Sequence, residues 1–257
     1  MRLALAALLC LLSAPAFAAP VNATYGLYTG GVKMIDVKAT LDFKPDSYHM
    51  RTEASTIGIF AKLLPWSGVF DTLGVSEFQP SKHDYTVKWR GDSETLSFAY
   101  APAGKLTSVT KIEGDKKTDE TPDSDVAQGT RDMLSAVGMV LKRYESTGKC
   151  AGDTLAFDGK RSLTIQTRDV GTVTLNNPKL SSYTGPAHGC SIKIVQGKGK
   201  WPKKPRGWMK IQQMGEKEGK LPVLWIARPS AEGPVIPVRI DIHTKFGDVI
   251  AHLTSVQ

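Results

Sequence analysis

Hydrophobic and polar residues alternate with a period of two along most of the chain. In the run VKATLDF, Val37, Ala39, Leu41 and Phe43 share one face and polar residues occupy the other, as a half-buried strand requires. A KPDS turn and a second alternating run follow, which indicates an antiparallel hairpin. The pattern recurs to the end of the chain. It predicts a mainly β protein with one long antiparallel sheet. Curvature into a half-barrel or β-spiral would protect the edge strands of this sheet from pairing with other chains.

One segment, TRDMLSAVGMVLKRYESTGKC at residues 130–150, has a helical period instead. We expect a helix near residues 130–146, with Thr130 as its N-cap and Gly148 at its end. A curved sheet would partly wrap this helix. The alternative is that its apolar face borders a ligand site. That face comprises Met133, Leu134, Val137, Val140, Leu141 and Tyr144.

The ends and the polar segments suggest the domain organisation. Residues 1–18 carry one positive charge, an apolar run and a final AFA pattern, which is typical of a secretory signal peptide. Residues 19–257 then form a single β-rich domain. Residues 113–125, EGDKKTDETPDSD, are mostly charged and are expected to form an exposed, mobile loop.

Export changes how the cysteines and the charge are interpreted. Cys150 and Cys190 remain after signal cleavage, and an isolated pair in an oxidising compartment is expected to form a disulfide, with paired thiols or a metal site as the alternative. The formal charge is +8, and +7 once Arg2 is removed with the signal peptide. Outside the cytoplasm this charge indicates anionic membrane surfaces, lipopolysaccharide phosphates or cell-wall polymers as partners, and no nucleic acid.

Two apolar features are candidates for a ligand cavity. The run IGIFAKLLPWSGVF is too apolar for an ordinary solvated loop, so its side chains form either core or the lip of a cavity. If they meet the helix, the cavity would suit a lipid or an acyl chain. The candidate cavity residues are Ile59, Phe60, Leu63, Leu64, Trp66, Met133, Val137, Val140 and Leu141.

A basic segment, GKGKWPKKPRGWMK, combines cations with two tryptophans. Indole rings beside ammonium groups suit an anionic membrane or glycolipid surface. The alternative is a basic loop whose tryptophans cover one end of the sheet. The candidate residues for anionic-surface binding are Lys198, Lys200, Trp201, Lys203, Lys204, Arg206 and Trp208.

Motifs for catalysis or metal binding are not found in the sequence. The five histidines show no HExxH or HxH ligand spacing, and a GxSxG elbow does not occur. We therefore expect neither a cofactor nor a metal, and a protein that is not an enzyme. A hydrolase whose active site is assembled from distant residues is the alternative.

Three parts of the chain carry motifs of a known family. They are the opening segment with Tyr25, Gly30 or Gly31, Tyr48 and Gly58, the helix start from Asp132 to Ser135, and the closing segment with Trp225 and Pro237. In this order the motifs resemble the bacterial domain-of-unknown-function family numbered 3108. The resemblance implies an exported, periplasmic, β-rich envelope protein without established catalytic residues. A curved sheet around a helix is also similar to periplasmic lipoprotein carriers, a likeness of fold alone.

The expected function is therefore non-enzymatic binding in the periplasm that supports envelope integrity. The ligand or partner would be a lipid, a lipoprotein or another envelope component. A scaffold that binds a cell-wall polymer or a protein through the basic segment is the alternative.

Overall fold

The computed structural model describes residues 19–205, 207–245 and 247–257. The predicted signal peptide, residues 1–18, lies outside the described residues, and so does Arg206 of the basic segment. The described residues form fourteen strands, four α-helices and two 3₁₀ turns at Ser76–Phe78 and Pro102–Gly104.

The strands alternate in direction along nearly the whole chain, as the period-two pattern predicts. Their bounds are β1 Val21–Thr29, β2 Val32–Phe43, β3 Ser47–Thr56, β4 Trp66–Val75, β5 Gln79–Trp89, β6 Asp92–Ala101, β7 Lys105–Glu113, β8 Lys116–Glu120, β9 Gly152–Phe157, β10 Arg161–Leu175, β11 Gly185–Gly199, β12 Val223–Ala227, β13 Ile236–Thr244 and β14 Gly247–Val256. The helices are α1 Gly58–Leu63, α2 Ser124–Ala127, α3 Met133–Thr147 and α4 Trp208–Lys217.

All fourteen strands belong to one curved, unclosed antiparallel sheet. Its order is β8-β7-β6-β5-β4-β3-β2-β1-β14-β13-β12-β11-β10-β9. The first and last strands meet in the middle of the sheet, where β1 pairs with β14 and Tyr25 lies opposite Leu253. The prediction of a mainly β fold with a long curved sheet is confirmed.

The edges of the sheet, β8 and β9, do not pair with each other within the described ranges. Phe157 at the end of β9 instead packs against Phe98 of β6, with ring centroids 6.1 Å apart. Arg131 adds a parallel bridge to β9, and its N–H donates to Leu155 O at 3.1 Å. One edge of the sheet is therefore covered by the segment that leads into α3.

Helix α3 begins later than the sequence suggests. Asp132, not Thr130, is the N-cap, because its Oδ1 accepts the backbone N–H groups of Leu134 and Ser135 at 3.0 Å each. The Thr130 hydroxyl instead donates to Ala127 O at 2.7 Å. The predicted C-terminal end is confirmed, since Gly148 has a left-handed backbone with φ 69° and caps the helix.

The expected loop at 113–125 is wrong for its central part. Residues 116–120 form β8, an edge strand that pairs with β7, and Ile112 lies opposite Lys117. Both faces of this strand are charged, which hides the period-two signal on which strand prediction depends. Charged residues on an exposed edge also discourage pairing with other chains.

Candidate functional site

An apolar cavity of about 690 Å³ lies between α3, strands β10 and β11, and the segment that joins β11 to α4. This volume falls within the range of roughly 300–1,000 Å³ that is typical of small-molecule sites. Only three of the lining side chains carry charges or amides. The lining residues are Met133, Val137, Asp158, Arg161, Leu163, Ile165, Ile192, Ile194, Gln196, Trp201, Pro202, Pro205, Gly207, Trp208 and Met209.

Strands β10 and β11 form the apolar wall. Alternation turns Leu163 and Ile165 of β10 into the cavity, and Ile192 and Ile194 of β11 stand beside them. In the register of the pair, Ile165 lies opposite Ile194. The wall is thus continuous across two strands, and its β-branched side chains hold it rigid.

Helix α4 and the preceding segment cover the wall. Gln212 fastens α4 to β11, because its side-chain amide accepts from Ile194 N at 2.5 Å and donates to Ile194 O at 3.0 Å. Trp201 donates from Nε1 to Gly197 O at 3.0 Å. The indole N–H of Trp208 is buried and has no acceptor among the described residues.

Charged groups stand at the rim of the cavity. Arg161 donates to Asp158 Oδ2 from Nε at 2.8 Å and from Nη2 at 2.5 Å, and its guanidinium lies 4.3 Å from the centroid of the Trp201 ring. Next to the lining prolines the chain carries exposed cations. They are Lys198, Lys200, Lys203 and Lys204. The cavity therefore combines an apolar interior with a basic surround.

The structure regroups the side chains that the sequence suggested. Met133 and Val137 of the helix stripe border the cavity, together with Trp201 and Trp208 of the basic segment. Val140 and Leu141 are instead buried in the core beside the disulfide. The basic segment and the helix stripe were proposed as separate sites, but they form two sides of one cavity.

The expectation that the apolar run at 57–70 forms core or the lip of a cavity is wrong for three of its residues. Ile59 and Leu63 of α1 and Leu64 at its end are exposed and do not line this cavity, while Phe60 and Trp66 are half-buried. The helix α1 has no buried residue. Sequence reasoning took a high apolar content as a sign of burial, although apolar residues can also lie on a surface that meets a partner.

Similarity to known proteins shows which family the chain belongs to. The family described as "Protein of unknown function (DUF3108)" matches residues 22–254. The chain belongs to this family. The resemblance seen in the sequence is thereby confirmed. Curated proteins include no match to the chain.

A solved structure has the same fold as this DUF3108 chain. It is the β-barrel-like protein of domain of unknown function DUF1849 from Brucella abortus. The similarity has a TM-score of 0.50 at 9% sequence identity, and it covers 93% of this chain and 97% of the other. At this identity the likeness concerns the fold alone.

Several of the motif residues of the DUF3108 chain meet in a buried polar network at the start of α3. Tyr48 Oη lies 2.6 Å from Ser135 Oγ, and Ser135 donates to the second carboxylate oxygen of Asp132. Thr72 donates to Asp132 Oδ1 at 2.9 Å and lies 2.6 Å from His83 Nδ1. Burial lowers the pKa of His83 and raises that of Tyr48. The network anchors α3 to β3, β4 and β5.

The other motif residues of the DUF3108 chain also have structural partners. Tyr25 Oη donates to Pro237 O at 3.0 Å across the sheet, and Trp225 Nε1 donates to Asp241 Oδ2 at 2.8 Å. Gly30 and Gly31 turn the first hairpin with positive φ values of 54° and 80°, which favour glycine. These motif residues therefore have structural roles in the fold.

Cys150 and Cys190 form the expected disulfide, with a Cα–Cα distance of 6.0 Å. It ties the exit of α3 to β11. His188 lies beside it, and the ligand atoms of these three residues fall within 4.8 Å of one another. His188 and Cys190 are two residues apart on β11 and therefore share one face of the strand, whereas Cys150 reaches them only in the folded chain. Because the sulfurs are bonded to each other, they do not offer thiolates to a metal.

Asp169 joins the disulfide to His188. Its Oδ1 accepts the Cys150 backbone N–H at 2.8 Å and lies 2.6 Å from His188 Nε2. Burial alone would raise the pKa of Asp169, but the hydrogen bonds from Cys150 and His188 outweigh it and hold that pKa below its usual range. These contacts orient the polar groups around the cross-link.

Proposed function

We propose that this protein is exported to the periplasm and binds the acyl chain of an anionic amphiphile without catalysing a reaction on it. The supporting observation is the apolar cavity of about 690 Å³ with its basic surround. The disulfide between Cys150 and Cys190 is consistent with export. None of the described helices has the length and apolarity that a membrane-spanning helix needs.

The energetics of such a ligand fit the cavity. Each methylene group that leaves water contributes about 0.8 kcal/mol, so a chain of eight buried methylenes gains roughly 6 kcal/mol. The rim lysines add attraction for a phosphate or carboxylate headgroup. A lipid, or the acyl chain of a lipoprotein, has this chemistry, and binding it would support envelope integrity.

The alternative is a scaffold that binds a polymer or protein through the basic segment, and the exposure of Lys203 and Lys204 favours it. The hydrolase alternative has less support. The polar groups that converge at Asp132, Ser135 and Thr72 are fully buried, so a substrate does not reach them in this conformation.

The test begins with protein purified from its own envelope. Native mass spectrometry and lipid extraction are expected to find an acyl-chain ligand. A fluorescent fatty acid should bind the empty protein, and Val137→Trp should abolish that binding by filling the cavity. Val173→Trp on the exposed part of β10 is the control and should bind normally. Protein that is always empty and binds no acyl chain would refute the proposal.

A charge variant separates the two candidates. Reversal of Lys203 and Lys204 to glutamate should weaken binding of an anionic amphiphile several-fold and leave binding of a neutral one unchanged. If acyl-chain binding is absent and the same reversal abolishes capture of a peptidoglycan or protein partner, the scaffold replaces the lipid-binding proposal.

A further inference from the structure

The helix α1 and the two hairpin turns beside it expose apolar side chains at one end of the sheet. We call this set the α1 rim and define it as Val32, Ile59, Leu63, Leu64 and Trp89. Ile59 and Leu63 are 63% and 64% exposed, and Trp89 is 43% exposed. Single exposed apolar residues are ordinary, whereas a cluster on adjoining elements marks an interaction surface.

Backbone hydrogen bonds hold the elements of the α1 rim together. Ile57 N donates to Met34 O at 2.9 Å, which joins α1 to the start of β2 close to Val32. Arg90 N donates to Pro65 O at 3.1 Å, which joins the far side of α1 to the turn that contains Trp89. The rim is therefore a built surface across three connections of the sheet.

Cations surround the α1 rim. Lys62 of α1, Lys88 and Arg90 are exposed and have no ion pair among the described residues, and the Arg90 guanidinium lies 5.4 Å from the centroid of the Trp89 ring. Asp92 is the exposed acid on the adjoining turn, and Lys33 is already paired with Asp36. The excess charge of these groups is positive, so the surface complements an anionic one.

The antiparallel order places the α1 rim and the basic segment at the same end of the sheet. Adjacent strands run in opposite directions. Gly199, the last residue of β11, therefore lies at the same end of the sheet as the turn from β1 to β2. The connections β3–α1–β4 and β5–β6 lie at that end too. Both cationic, tryptophan-containing surfaces thus share one end of the molecule.

We propose that the α1 rim docks this protein peripherally on an anionic phospholipid bilayer. Ile59, Leu63 and Leu64 enter the boundary between headgroups and acyl chains, and Trp89 lies at the headgroup level. Lys62 and Arg90 extend to lipid phosphates, since long cationic side chains reach polar groups while their stems cover apolar surface. The proposal rests on α1 and does not require a ligand in the cavity.

The test is co-sedimentation of the purified protein with vesicles of phosphatidylcholine alone or with a third phosphatidylglycerol. We expect binding that depends on the anionic lipid and falls with added salt. Ile59→Glu with Leu63→Glu should reduce binding at least tenfold. Lys62→Glu with Arg90→Glu should reduce it on anionic vesicles by at least fivefold. Leu73→Glu, an exposed leucine further along β4, is the matched control and should leave binding unchanged.

Three results would overturn the proposal. One is binding by the Ile59→Glu, Leu63→Glu variant that equals that of the control. The second is an absence of vesicle binding together with an α1-dependent protein partner, which would assign the rim to that partner. The third is sedimentation velocity showing a dimer that these substitutions dissociate. Thermal unfolding of each variant ensures that a loss of binding is not a loss of fold. Fatty-acid binding by the α1 variants stays intact if the two sites are independent.

Discussion

The two sides of α3 differ in how the sheet meets them. On one side, which we call the closed side, strands β3, β4 and β5 contact the helix through the buried network of Tyr48, Thr72, His83, Asp132 and Ser135. On the other, the open side, β10 and β11 face it across a cavity of about 690 Å³. Hydrogen bonds and rings therefore join helix and sheet on the closed side, whereas a cavity separates part of the helix from the sheet on the open side.

The difference shows what each side contributes. A satisfied polar network specifies one position of the helix, because any displacement leaves buried groups without partners. An apolar wall of Ile and Leu without a matching helix face leaves space that favours an apolar ligand. The closed side holds the helix still so that the open side keeps its shape.

The largest effect is expected at the anchor of the closed side. Asp132→Ala removes the helix cap and leaves Thr72 and Ser135 without their carboxylate, so the free energy of unfolding should fall by about 3–5 kcal/mol. Urea unfolding followed by circular dichroism measures it. Asp123→Ala, which removes the exposed cap of α2, is the control and should cost about 1 kcal/mol. Equal losses in the two variants would show that the network does not anchor α3.

Truncation of a buried and of a cavity-lining residue of α3 should give unequal losses of stability. Leu141 is 4% exposed in the core, and Leu141→Ala should cost about 2–4 kcal/mol by leaving a void. Met133 is 37% exposed beside the cavity, and Met133→Ala should cost less than about 1 kcal/mol. Similar losses in chemical denaturation would show that Met133 is packed as tightly as the core residue Leu141, which would contradict a cavity beside it.

Gly138 allows close packing between α3 and the turn before β5. A Cβ at this position would lie 2.3 Å from Phe78 Cε1, so Gly138→Ala should destabilise the protein by about 1–3 kcal/mol. Phe78→Ala in the same chain should relieve the added loss, as a double-mutant cycle would reveal. A gain of about 1 kcal/mol from Gly138→Ala, the usual benefit of alanine in a helix, would mean that the contact is loose.

The smallest effect concerns pH. Burial lowers the pKa of His83 on the closed side, so the unfolded chain takes up its proton before the folded chain does. This contribution to stability is complete above the unfolded pKa of about 6.5 and is lost as the pH falls below it, by at most about 1.4 kcal/mol per pH unit. Burial also lowers the pKa of His252, which adds a loss of the same sign.

Variants separate these two histidines. Unfolding of the parent and of His83→Gln between pH 7.5 and 5 should differ in slope by up to one proton. His252→Gln should remove the remaining contribution. An unchanged slope in His83→Gln would show that its protonation is not linked to folding.

The sequence pattern predicted the strands well where one face of each strand is apolar. It failed at β8, where charges on both faces of Lys116–Glu120 remove the alternation. The cap of α3 was misplaced because Thr130 and Asp132 are both good capping residues, and only the fold brings Thr72 to Asp132 across a separation of 60 residues. Sequence spacing does not reveal such long-range partners.

The cavity was predicted in part. Met133 and Val137 were named from the helical period, and Trp201 and Trp208 from the basic segment. Their meeting was not predicted, because it depends on the register of β10 and β11 and on the bond between Gln212 and Ile194. The alternation of Ile192 and Ile194 is visible in the sequence of β11, but the sequence does not show what lies opposite them.

By itself the sequence determined the β class, the one long helix, its glycine end and the cross-linked cysteines, because period, turn chemistry and pairing are local or chemically exclusive properties. The tertiary structure decided that Ile59, Leu63 and Leu64 lie at the surface, that α3 borders a cavity on its open side, and that the basic segment covers this cavity. Whether an apolar side chain is buried depends on which other part of the folded chain packs against it, and the identity of the side chain does not determine that.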